Sequence, residues 1–359
     1  MQQNEAMSSL FAPFSQRSVT LRNRVAMSPM CMYSCEGMDG VATAWHPAHY
    51  GSRAAGGCSL VMLEATAVTP GGVISPQDLG IWSDDHIPGL RAIAESIQYA
   101  GAAAAIQIAH AGRKSGTYRP WSPVRGYVPD WPHPRLAPAA IPFREDTPVP
   151  QAMTATERNA MITAWQQAAR RAHEAGFDVL ELHSAHGYLL HQFLSPLSHP
   201  EPEGGDRFAF HRELVRAVRE EWPAEKPLWM RLSVTDWVEG GWTPDDSARL
   251  VQELAPLGLD LVDCSSGGTV MNANIPVGPG YQVHLARDLR AATGIATGAV
   301  GSITEPAQAE AIVAEGSTDI VFLGRQLLRE PYWALRAAKV LGAEVPWPSQ
   351  YAWSVGNPG

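Results

Sequence analysis

The sequence is poor in features that would direct it to nucleic acid, a membrane or an oxidising compartment. Its 27 Lys and Arg are outnumbered by 36 Asp and Glu, and the net charge of −9 disfavours phosphate backbones and anionic lipids. No apolar run is as long as a membrane span, and the first residues lack the basic and apolar regions of a signal peptide. The four cysteines, Cys31, Cys35, Cys58 and Cys264, are too few for a disulfide scaffold. We therefore expect a cytoplasmic protein with reduced thiols and no nucleic-acid or membrane partner.

Apolar residues, in contrast, are abundant. They make up 45% of the 359 residues, which is enough for a large core. Short apolar or β-branched runs alternate with longer helical patterns. The predicted strands are 24–27, 59–64, 104–108, 179–183, 228–232, 261–264, 295–297 and 320–323. The predicted helices are 85–99, 154–175, 245–257, 304–315 and 326–341.

Glycines and polar residues mark the ends of these predicted helices. A glycine before the next strand suits a left-handed helix end. Such glycines are Gly101, Gly176, Gly258, Gly294 and Gly316. The residues predicted as N-caps are Asp84, Thr154, Thr243 and Thr304.

Eight continuous apolar strands joined by helical connections predict one fold above others. The pattern is typical of a parallel sheet and predicts an α/β protein with a single (β/α)₈ TIM barrel. A doubly wound open sheet is the alternative, disfavoured because no Gly-x-Gly-x-x-Gly follows the first strand. We place the barrel at 10–345, after an N-terminal extension at 1–9 and before a C-terminal tail at 346–359.

One segment, residues 117–150, interrupts the alternation. It contains nine prolines, and its aromatic residues are Tyr118, Trp121, Tyr127, Trp131 and Phe143. It follows the third strand, so in a barrel it lies on the catalytic face. A disordered linker is the alternative, but linkers are poor in aromatics. We therefore predict a capping loop over a pocket.

Barrel enzymes carry their functional groups at the carboxyl ends of strands. The fourth strand ends in His183 and His186, with Tyr188 two residues further on. Two histidines at this spacing suit a metal, a substrate oxygen or a purely structural role. With a metal the chain would be a metal-dependent barrel hydrolase.

A second metal pattern is Cys31 and Cys35 followed by His46 and His49. Its spacing imitates a zinc finger. A zinc finger is a small closed module, however, whereas these residues follow a barrel strand and open a helix. We therefore predict no metal site.

The seventh and eighth strands end in Gly298-Ala-Val-Gly301 and Gly324-Arg325. Loops at these two strands bind phosphate in many barrels, and glycine amides beside an arginine suit a phosphate dianion. The alternative is a tight turn beside a surface arginine. Because both loops occur, each at the strand where barrels bind phosphate, we favour a phosphate site over this alternative.

Two further side chains have open roles. Arg231 lies in an apolar strand, where a guanidinium is costly unless it faces an anion or an acceptor. The alternative for it is an ion pair with Glu64 or Glu181. Cys31 is compatible with a nucleophile, a packing residue or a soft group that tunes a cofactor.

Several strand-end motifs are specific in combination. They are Ser28-Pro-Met-Cys31-Met-Tyr33, Gln107-Ile-Ala-His-Ala-Gly-Arg-Lys114, His183-Ser-Ala-His186-Gly-Tyr188, Ala296-Thr-Gly-Ala-Val-Gly301 and Gly324-Arg325. Together they resemble the Old Yellow Enzyme family of flavin-dependent ene-reductases, over about residues 10–351. With its cysteine at position 31, the chain resembles the bacterial thermophilic-like branch of this family, which includes the xenobiotic reductases.

The resemblance implies noncovalent FMN. Its phosphate would lie at Gly301, Gly324 and Arg325, Gln107 would bind the pyrimidine edge, and Arg231 would lie near N1 and the C2 carbonyl. The full set of implied cofactor-binding residues is Ser28, Pro29, Met30, Cys31, Ala65, Gln107, Arg231, Ala299, Gly301, Gly324 and Arg325.

The resemblance also implies a reaction. NADPH or NADH would reduce the flavin, which would reduce the C=C bond of α,β-unsaturated aldehydes, ketones, imides or nitroalkenes. The implied catalytic residues are Tyr188, His183, His186 and Cys31. The histidines would bind the substrate oxygen and Tyr188 would protonate the α-carbon. A flavin-binding protein without this activity is another alternative.

Two implied roles concern the rim of the site and the assembly. Tyr33 would contact the substrate oxygen or line the pocket. A homodimer or homotetramer is implied, in which Trp353 would reach a neighbouring subunit's active site as a substrate-binding residue. The alternative for Trp353 is packing on its own subunit.

Overall fold

A computed structural model describes residues 8–354, except for the side chain of Ala352. The predicted extension at 1–9 and tail at 346–359 therefore lie partly outside the described residues. Within the described part, no helix is long and apolar enough to cross a membrane.

The centre of the molecule is a closed barrel of eight parallel strands, as predicted. The barrel strands are β3 (Val25–Met27), β4 (Leu60–Ala67), β5 (Ala103–Ala109), β8 (Val179–Ser184), β9 (Leu228–Ser233), β10 (Leu261–Ser265), β11 (Ala296–Ala299) and β12 (Ile320–Leu323). They pair in this order, and β12 closes on β3. The remaining strands are β1 (Phe14–Gln16), β2 (Val19–Leu21), β6 (Leu136–Ala137) and β7 (Gln151–Ala152). All eight predicted strands are present, with small shifts at their ends.

Helices surround the barrel. They are α1 (Trp45–Ala55), α2 (Ile87–Tyr99), α3 (Ala155–Glu174), α4 (Leu189–Leu194), α5 (Ala209–Glu221), α6 (Pro244–Leu254), α7 (Val283–Thr293), α8 (Pro306–Ala314), α9 (Arg325–Arg329) and α10 (Trp333–Val340). The prediction of one helix over 326–341 was wrong, because Pro331 separates α9 from α10. Proline donates no backbone hydrogen bond and disfavours a helical conformation in the residue before it.

The sequence prediction missed α4, α5 and α7. The signal for α5 was present, because Phe210, Leu214 and Val218 recur at helical spacing and are buried. α7 shows the same pattern at Leu285 and Leu289.

Two of the four predicted N-caps are confirmed. Thr154 and Thr243 form capping boxes with the acidic residues three positions later. The prediction of Asp84 as an N-cap was wrong, because the hydroxyl of Ser83 accepts the hydrogen bond from the Asp85 N–H at that helical turn. The prediction of Thr304 as the N-cap of the next-to-last predicted helix was also wrong. The N-cap of α8 is Glu305, whose side chain makes no capping hydrogen bond.

Replacing Thr154 with alanine is expected to lower the free energy of unfolding by about 1 kcal/mol, because the first turn of α3 loses its cap. Thr163→Ala is the matched control, since Thr163 is exposed on the same helix and only bonds the Asn159 carbonyl. Urea unfolding measures both. Equal costs for the two variants would show that the box contributes nothing.

The lower part of the barrel interior is filled by apolar side chains. Trp229 of β9 meets Phe322 of β12 edge to face, with ring centroids 6.2 Å apart. The other buried members of this layer are Leu21, Ala26, Leu60, Met62, Ala105, Val179, Leu261 and Ile320. The β1–β2 hairpin covers them from below, and its Gln16 accepts a hydrogen bond from Trp229 Nε1. These residues form the barrel floor.

The next inward positions toward the carboxyl ends are polar. Alternate residues of a strand face the same side, so the residue two positions beyond each floor residue also points inward. This places Gln107 above Ala105, Glu181 above Val179, and Arg231 above Trp229. Asp263 lies above Leu261 and pairs in register with Arg231. The alternation therefore puts a polar layer between the floor and the open end.

The capping segment, residues 117–150, is fastened to the barrel at several points. Arg113 donates hydrogen bonds to the carbonyls of Ile141 and Pro142, and Arg135 donates to the carbonyl of Ser115. β6 pairs with β7 where the segment begins to return to α3. The segment is thus ordered at the carboxyl end of the barrel, as the capping-loop prediction required.

Candidate active site

The end of β8 places His183, His186 and Tyr188 together. The His183 ring centroid lies 5.1 Å from that of His186 and 5.1 Å from that of Tyr188. His183 Nδ1 accepts the N–H of Ala185, so a neutral His183 ring carries its proton on Nε2. His186 Nε2 lies 2.7 Å from the Ser265 hydroxyl.

Both imidazoles are neutral. Burial lowers the pKa of His183 and His186 well below the usual value, and the guanidinium of Arg231 lowers both further. A neutral imidazole donates one hydrogen bond and accepts another. The pair can therefore donate to a substrate oxygen without releasing a charge into the site.

A close approach of two backbones fixes this segment. A Cβ on Gly187 would lie 2.2 Å from the Gly268 oxygen, and a Cβ on Gly268 would lie 2.5 Å from the His186 carbonyl carbon. Lys114 Nζ bridges the loops that follow β8 and β10. It donates hydrogen bonds to the carbonyls of His186 and Gly268, at 2.9 and 3.0 Å. Its ammonium also lies 5.1 Å from the Tyr188 ring centroid. Burial lowers the pKa of Lys114 to about 7.

A cavity of about 430 Å³ extends from His186 to the ends of β11 and β12. It brings together the predicted residues Arg231, Gly301, Gly324 and Arg325. Gly301 has φ +126, which favours glycine. The lining residues that were not predicted from the sequence include Ser265, Tyr281, Gln282, Val300, Ser302 and Arg329. Arg329 could have been found, because it follows Arg325 at helical spacing on α9.

Arg231 is positioned by two neighbours. Its Nη1 donates to the Ser28 hydroxyl at 2.9 Å, and its Nε lies 3.3 Å from Asp263 Oδ2. The alternative of an ion pair with Glu64 or Glu181 was therefore wrong about the partner. That Nε–Oδ2 contact is an ion pair but not an aligned hydrogen bond, because neither atom has a hydrogen-bond partner within residues 8–354.

The polar layer below the cavity also holds Gln107 and Glu181. Gln107 Nε2 donates to Glu181 Oε1 at 2.8 Å, and both side chains are buried. Burial and then the charge of Asp263 raise the pKa of Glu181 well above its usual range, while burial raises that of Asp263 to about 6. The guanidinium of Arg231, which has an unused N–H and lies in the same layer as these carboxyls, suits an acceptor-rich group in the cavity.

The predicted residues Ser28 to Tyr33 follow β3. Ser28 is buried and Pro29 to Tyr33 are partly exposed. Burial, followed by the charges of Asp78 and Glu64, raises the pKa of the Cys31 thiol well above its usual range. A nucleophilic cysteine needs a lowered pKa, so this setting disfavours the nucleophile interpretation. Tyr33 has φ +47, and its ring lies edge-on to Trp121 of the capping segment, 5.7 Å away.

The two alanines predicted to contact the cofactor, Ala65 and Ala299, lie in different surroundings. Ala65 is buried and lines a cleft beside Tyr188. The Ala299 side chain instead packs in the core between barrel and helices. The side chain of Val300, one position on, lines the cavity. A contact from Ala299 to a ligand in the cavity is thus limited to its backbone.

Glu64 is a buried carboxyl close to Cys31. It accepts hydrogen bonds from Met32 N at 2.7 Å and from the Tyr50 hydroxyl at 3.0 Å. Burial raises the pKa of Glu64 to about 7. The folded protein therefore binds more protons here than the unfolded chain between pH 4.5 and about 7.

This predicts a pH dependence that a Glu64→Gln variant should lack. Relative to the variant, the free energy of unfolding of the unaltered chain is expected to fall as pH rises from 4.5 to about 7. Glutamine keeps an acceptor for Met32 N, so the comparison isolates the charge. Urea unfolding at several pH values measures the difference. A difference independent of pH would contradict the raised pKa.

The metal alternatives find little support. Within residues 8–354, no group of three or more His, Cys, Asp or Glu is arranged to hold a metal ion. Cys35 is buried, and His46 Nδ1 accepts a hydrogen bond from Thr43 N rather than facing Cys31.

Trp353 is 95% exposed, so the alternative that it packs on its own subunit is wrong.

Comparison with known proteins gives consistent results. The model of the NADH:flavin oxidoreductase / NADH oxidase family matches residues 9–344. The chain is 48% identical over 347 residues to an NADPH dehydrogenase from Geobacillus thermodenitrificans (strain NG80-2), which covers 95% of this chain and 97% of that protein.

Solved structures share the fold. Morphinone reductase superposes with a TM-score of 0.76 at 25% identity, covering 97% of this chain and 93% of its own. A 2-naphthoyl-CoA reductase complex superposes with a TM-score of 0.83 at 24% identity. That match covers 93% of the present chain but only 52% of the larger protein, so this likeness concerns the fold alone.

The matched region includes the strand ends described above, from Ser28 to Arg325. A family match over this length establishes membership. The chain belongs to the NADH:flavin oxidoreductase / NADH oxidase family, the Old Yellow Enzyme family of FMN-dependent oxidoreductases, as its strand-end motifs predicted.

Proposed function

We propose that this oxidoreductase uses NADPH to reduce the activated C=C bonds of α,β-unsaturated aldehydes, ketones, imides and nitroalkenes. The observation that carries the proposal is the meeting of two neutral imidazoles, His183 and His186, with Tyr188 at the end of the cavity that Arg231 also lines. NADPH is the donor named for the bacterial relatives at 48% identity.

The histidines bind the substrate oxygen. A carbonyl or nitro oxygen gains negative charge as the neighbouring alkene accepts hydride, and fixed hydrogen-bond donors stabilise that charge. His183 Nε2–H is available as such a donor because Nδ1 is already bonded to Ala185 N. His186 is held in a left-handed conformation with φ +61, which the Lys114 bridge supports.

Tyr188 supplies the proton for the α-carbon. Its ring is held between His183 and the Lys114 ammonium, so its direction is fixed. Tyr33, which is partly exposed, contacts the substrate oxygen or lines the pocket. Cys31 keeps its proton and acts on the cofactor as a soft neighbour rather than as a nucleophile.

The residues that would hold FMN fit such a group. Gly301, Gly324 and Arg325 suit the phosphate, joined by Arg329. Arg231 and Gln107 suit the acceptor-rich edge of the ring system, and Ser28, Pro29, Met30, Cys31 and Ala65 suit its flat faces. FMN held by these residues would supply the hydride-transfer chemistry that links the nicotinamide to the alkene.

The assembly belongs to the same proposal. The exposed Trp353 side chain would contact a neighbouring subunit of a cytoplasmic homodimer or homotetramer and there line its substrate site. Tyr351 holds the tail by a hydrogen bond between its hydroxyl and that of Tyr332, at 3.1 Å.

An anaerobic two-step experiment tests this function. The purified protein should be yellow, bleach on addition of NADPH and recover its colour on addition of cyclohexenone. A colourless protein would favour the hydrolase alternative. A yellow protein that bleaches but does not recover with enones, maleimides or nitroalkenes would favour a flavoprotein without this activity.

His183→Ala combined with His186→Ala is expected to leave the protein yellow but weaken the binding of a phenol by about 3 kcal/mol, since two hydrogen bonds to one oxygen are lost. Flavin absorbance during titration with 4-hydroxybenzaldehyde measures this. His173→Ala is the control, because His173 packs beside Trp222 far from the cavity. Unchanged phenol binding in the double variant would refute the role of the pair.

A further inference from the structure

The turn between β8 and α4, residues 185–188, carries His186 and ends at Tyr188. A backbone hydrogen bond from Tyr188 N to the Ala185 carbonyl closes it, at 3.2 Å. The two central residues, His186 and Gly187, have φ +61 and +70, in the left-handed region. This conformation is costly for a histidine and persists only where the surroundings impose it. The hydrogen bond that closes the turn leaves the N–H and the carbonyl of both central residues to find partners elsewhere.

Side chains hold the backbone of His186 from other strand ends. Its N–H donates to the Ser233 hydroxyl at 2.9 Å, and its carbonyl accepts from Lys114 Nζ at 2.9 Å. Ser233 is the last residue of β9, and its hydroxyl donates in turn to the Gly267 carbonyl at 2.8 Å. Ser233 therefore joins the turn to the loop that follows β10.

Two consecutive residues of α4 hold the backbone of Gly187. Its N–H donates to His191 Nδ1 at 2.9 Å, and its carbonyl accepts from Gln192 Nε2 at 2.7 Å. The Gln192 amide also reaches the connection after β5. There Nε2 donates to the Ala111 carbonyl at 3.3 Å, and Oε1 accepts the N–H of Arg113 at 3.2 Å. Gln192 is fully buried, so these hydrogen bonds are shielded from water.

The held backbone carries the side chains that the proposed function assigns to the substrate. A rotation of the peptide between His186 and Gly187 would move the His186 ring relative to that of His183, whose centroid lies 5.1 Å away. Two donors act on one oxygen only within a narrow range of distance and angle. A displacement of about 1 Å is enough to slow catalysis strongly. The hydrogen bonds to the turn therefore bear on the reaction as well as on stability.

We propose that Ser233 and Gln192 are positioning residues of the substrate site. By holding the turn, they set the directions in which the His186 ring and the Tyr188 hydroxyl enter the site. Neither residue is among the described residues that line the cavity, so both act through the turn and not on the substrate. This inference rests on the proposed function, in which His186 binds the substrate oxygen and Tyr188 supplies the proton.

The test removes one hydrogen bond at a time. Ser233→Ala leaves the His186 N–H without its acceptor. Gln192→Met keeps most of the side-chain volume but leaves the Gly187 carbonyl without its donor. Two independent variants keep the test decisive if one of them does not fold.

Asn23→Leu is the matched control. Asn23 is also a buried amide that connects backbone groups, since it donates to the Gly57 carbonyl and accepts the Val25 N–H, both at 3.0 Å. It precedes β3, at the end of the barrel opposite the mouth. Its loss should lower the urea midpoint of unfolding, as the loss of Gln192 should, because each leaves buried polar groups unpaired.

Three quantities are measured on the FMN-loaded protein. Flavin absorbance during titration with 4-hydroxybenzaldehyde gives the affinity for a phenol. Anaerobic stopped flow gives the rates at which cyclohexenone and ferricyanide reoxidise the reduced flavin. Ser233→Ala and Gln192→Met should each weaken phenol binding and slow the enone step about tenfold. Ferricyanide needs no oxygen-binding imidazole, so its rate should not change, and Asn23→Leu should leave all three quantities unchanged.

The outcomes are distinct. If Ser233→Ala or Gln192→Met binds the phenol as the unaltered chain does, the positioning role of that residue is overturned. If either variant slows ferricyanide as much as the enone, or Asn23→Leu weakens phenol binding equally, the effect is a general loosening and the inference is overturned. The double variant His183→Ala with His186→Ala tests the function separately. Weakened binding there, with unchanged binding in Ser233→Ala and Gln192→Met, would leave the function standing without the positioning role.

Discussion

Replacing Tyr188 with phenylalanine is expected to slow alkene reduction by about a hundredfold while leaving the reduction of the flavin by NADPH at its original rate. In the proposed mechanism, the Tyr188 hydroxyl is needed only when carbon is protonated. The ring, which packs edge-on to His183, is retained, so the site should keep its shape. Anaerobic stopped-flow measurement of the two half-reactions, each in a single turnover, gives both rates.

The control for Tyr188→Phe is Tyr127→Phe. Tyr127 belongs to the capping segment, and its hydroxyl donates to the carbonyl of Arg113 at 3.3 Å. Losing this long hydrogen bond should change neither half-reaction by more than about twofold. If Tyr188→Phe slowed both half-reactions equally, the tyrosine would be shaping the cavity rather than supplying a proton.

Gly268→Ala is expected to lower the free energy of unfolding by about 3 kcal/mol, from a strained backbone and a steric overlap together. The residue has φ +95, and its Cβ would lie 2.5 Å from both the Cα and the carbonyl carbon of His186. Backbone cannot move aside as a flexible side chain can. His186 should therefore shift, and phenol binding should weaken even where the variant is folded.

The chain offers a matched control in the same connection between β10 and α7. Gly278 has no atom within 4 Å of the position its Cβ would take, and its φ is not left-handed. Gly278→Ala should change stability by no more than about 0.5 kcal/mol. Urea unfolding and phenol titration compare the two variants. Equal stability would mean that the loops after β8 and β10 do not meet as described.

The strands and the residues at their ends were readable because their signals are local. Continuous apolar runs mark buried parallel strands, and the side chains that follow them lie on one face of a barrel. His183, Arg231 and Gly324 could be placed at the site on this basis. Helix α5 was also readable from its periodicity and was missed, so that error was one of interpretation.

What could not be read depends on contacts between distant strands. The partner of Arg231 is Asp263 because β9 and β10 pair in that register, and no local pattern distinguishes Asp263 from Glu64 or Glu181. The cleft shared by Asp78 and Tyr188 joins loops 110 residues apart. Such proximity follows only once the barrel has closed.

The barrel floor has a kinetic consequence. Trp229, Phe322 and their neighbours fill the interior below Arg231, and the β1–β2 hairpin covers them, so no ligand passes through the barrel. Every molecule that enters must leave by the same mouth, beneath the capping segment. The proposed function, with nicotinamide and alkene using this one mouth, predicts that the two bind in turn. Steady-state velocities should then give parallel double-reciprocal lines, with each substrate inhibiting the other's step at high concentration.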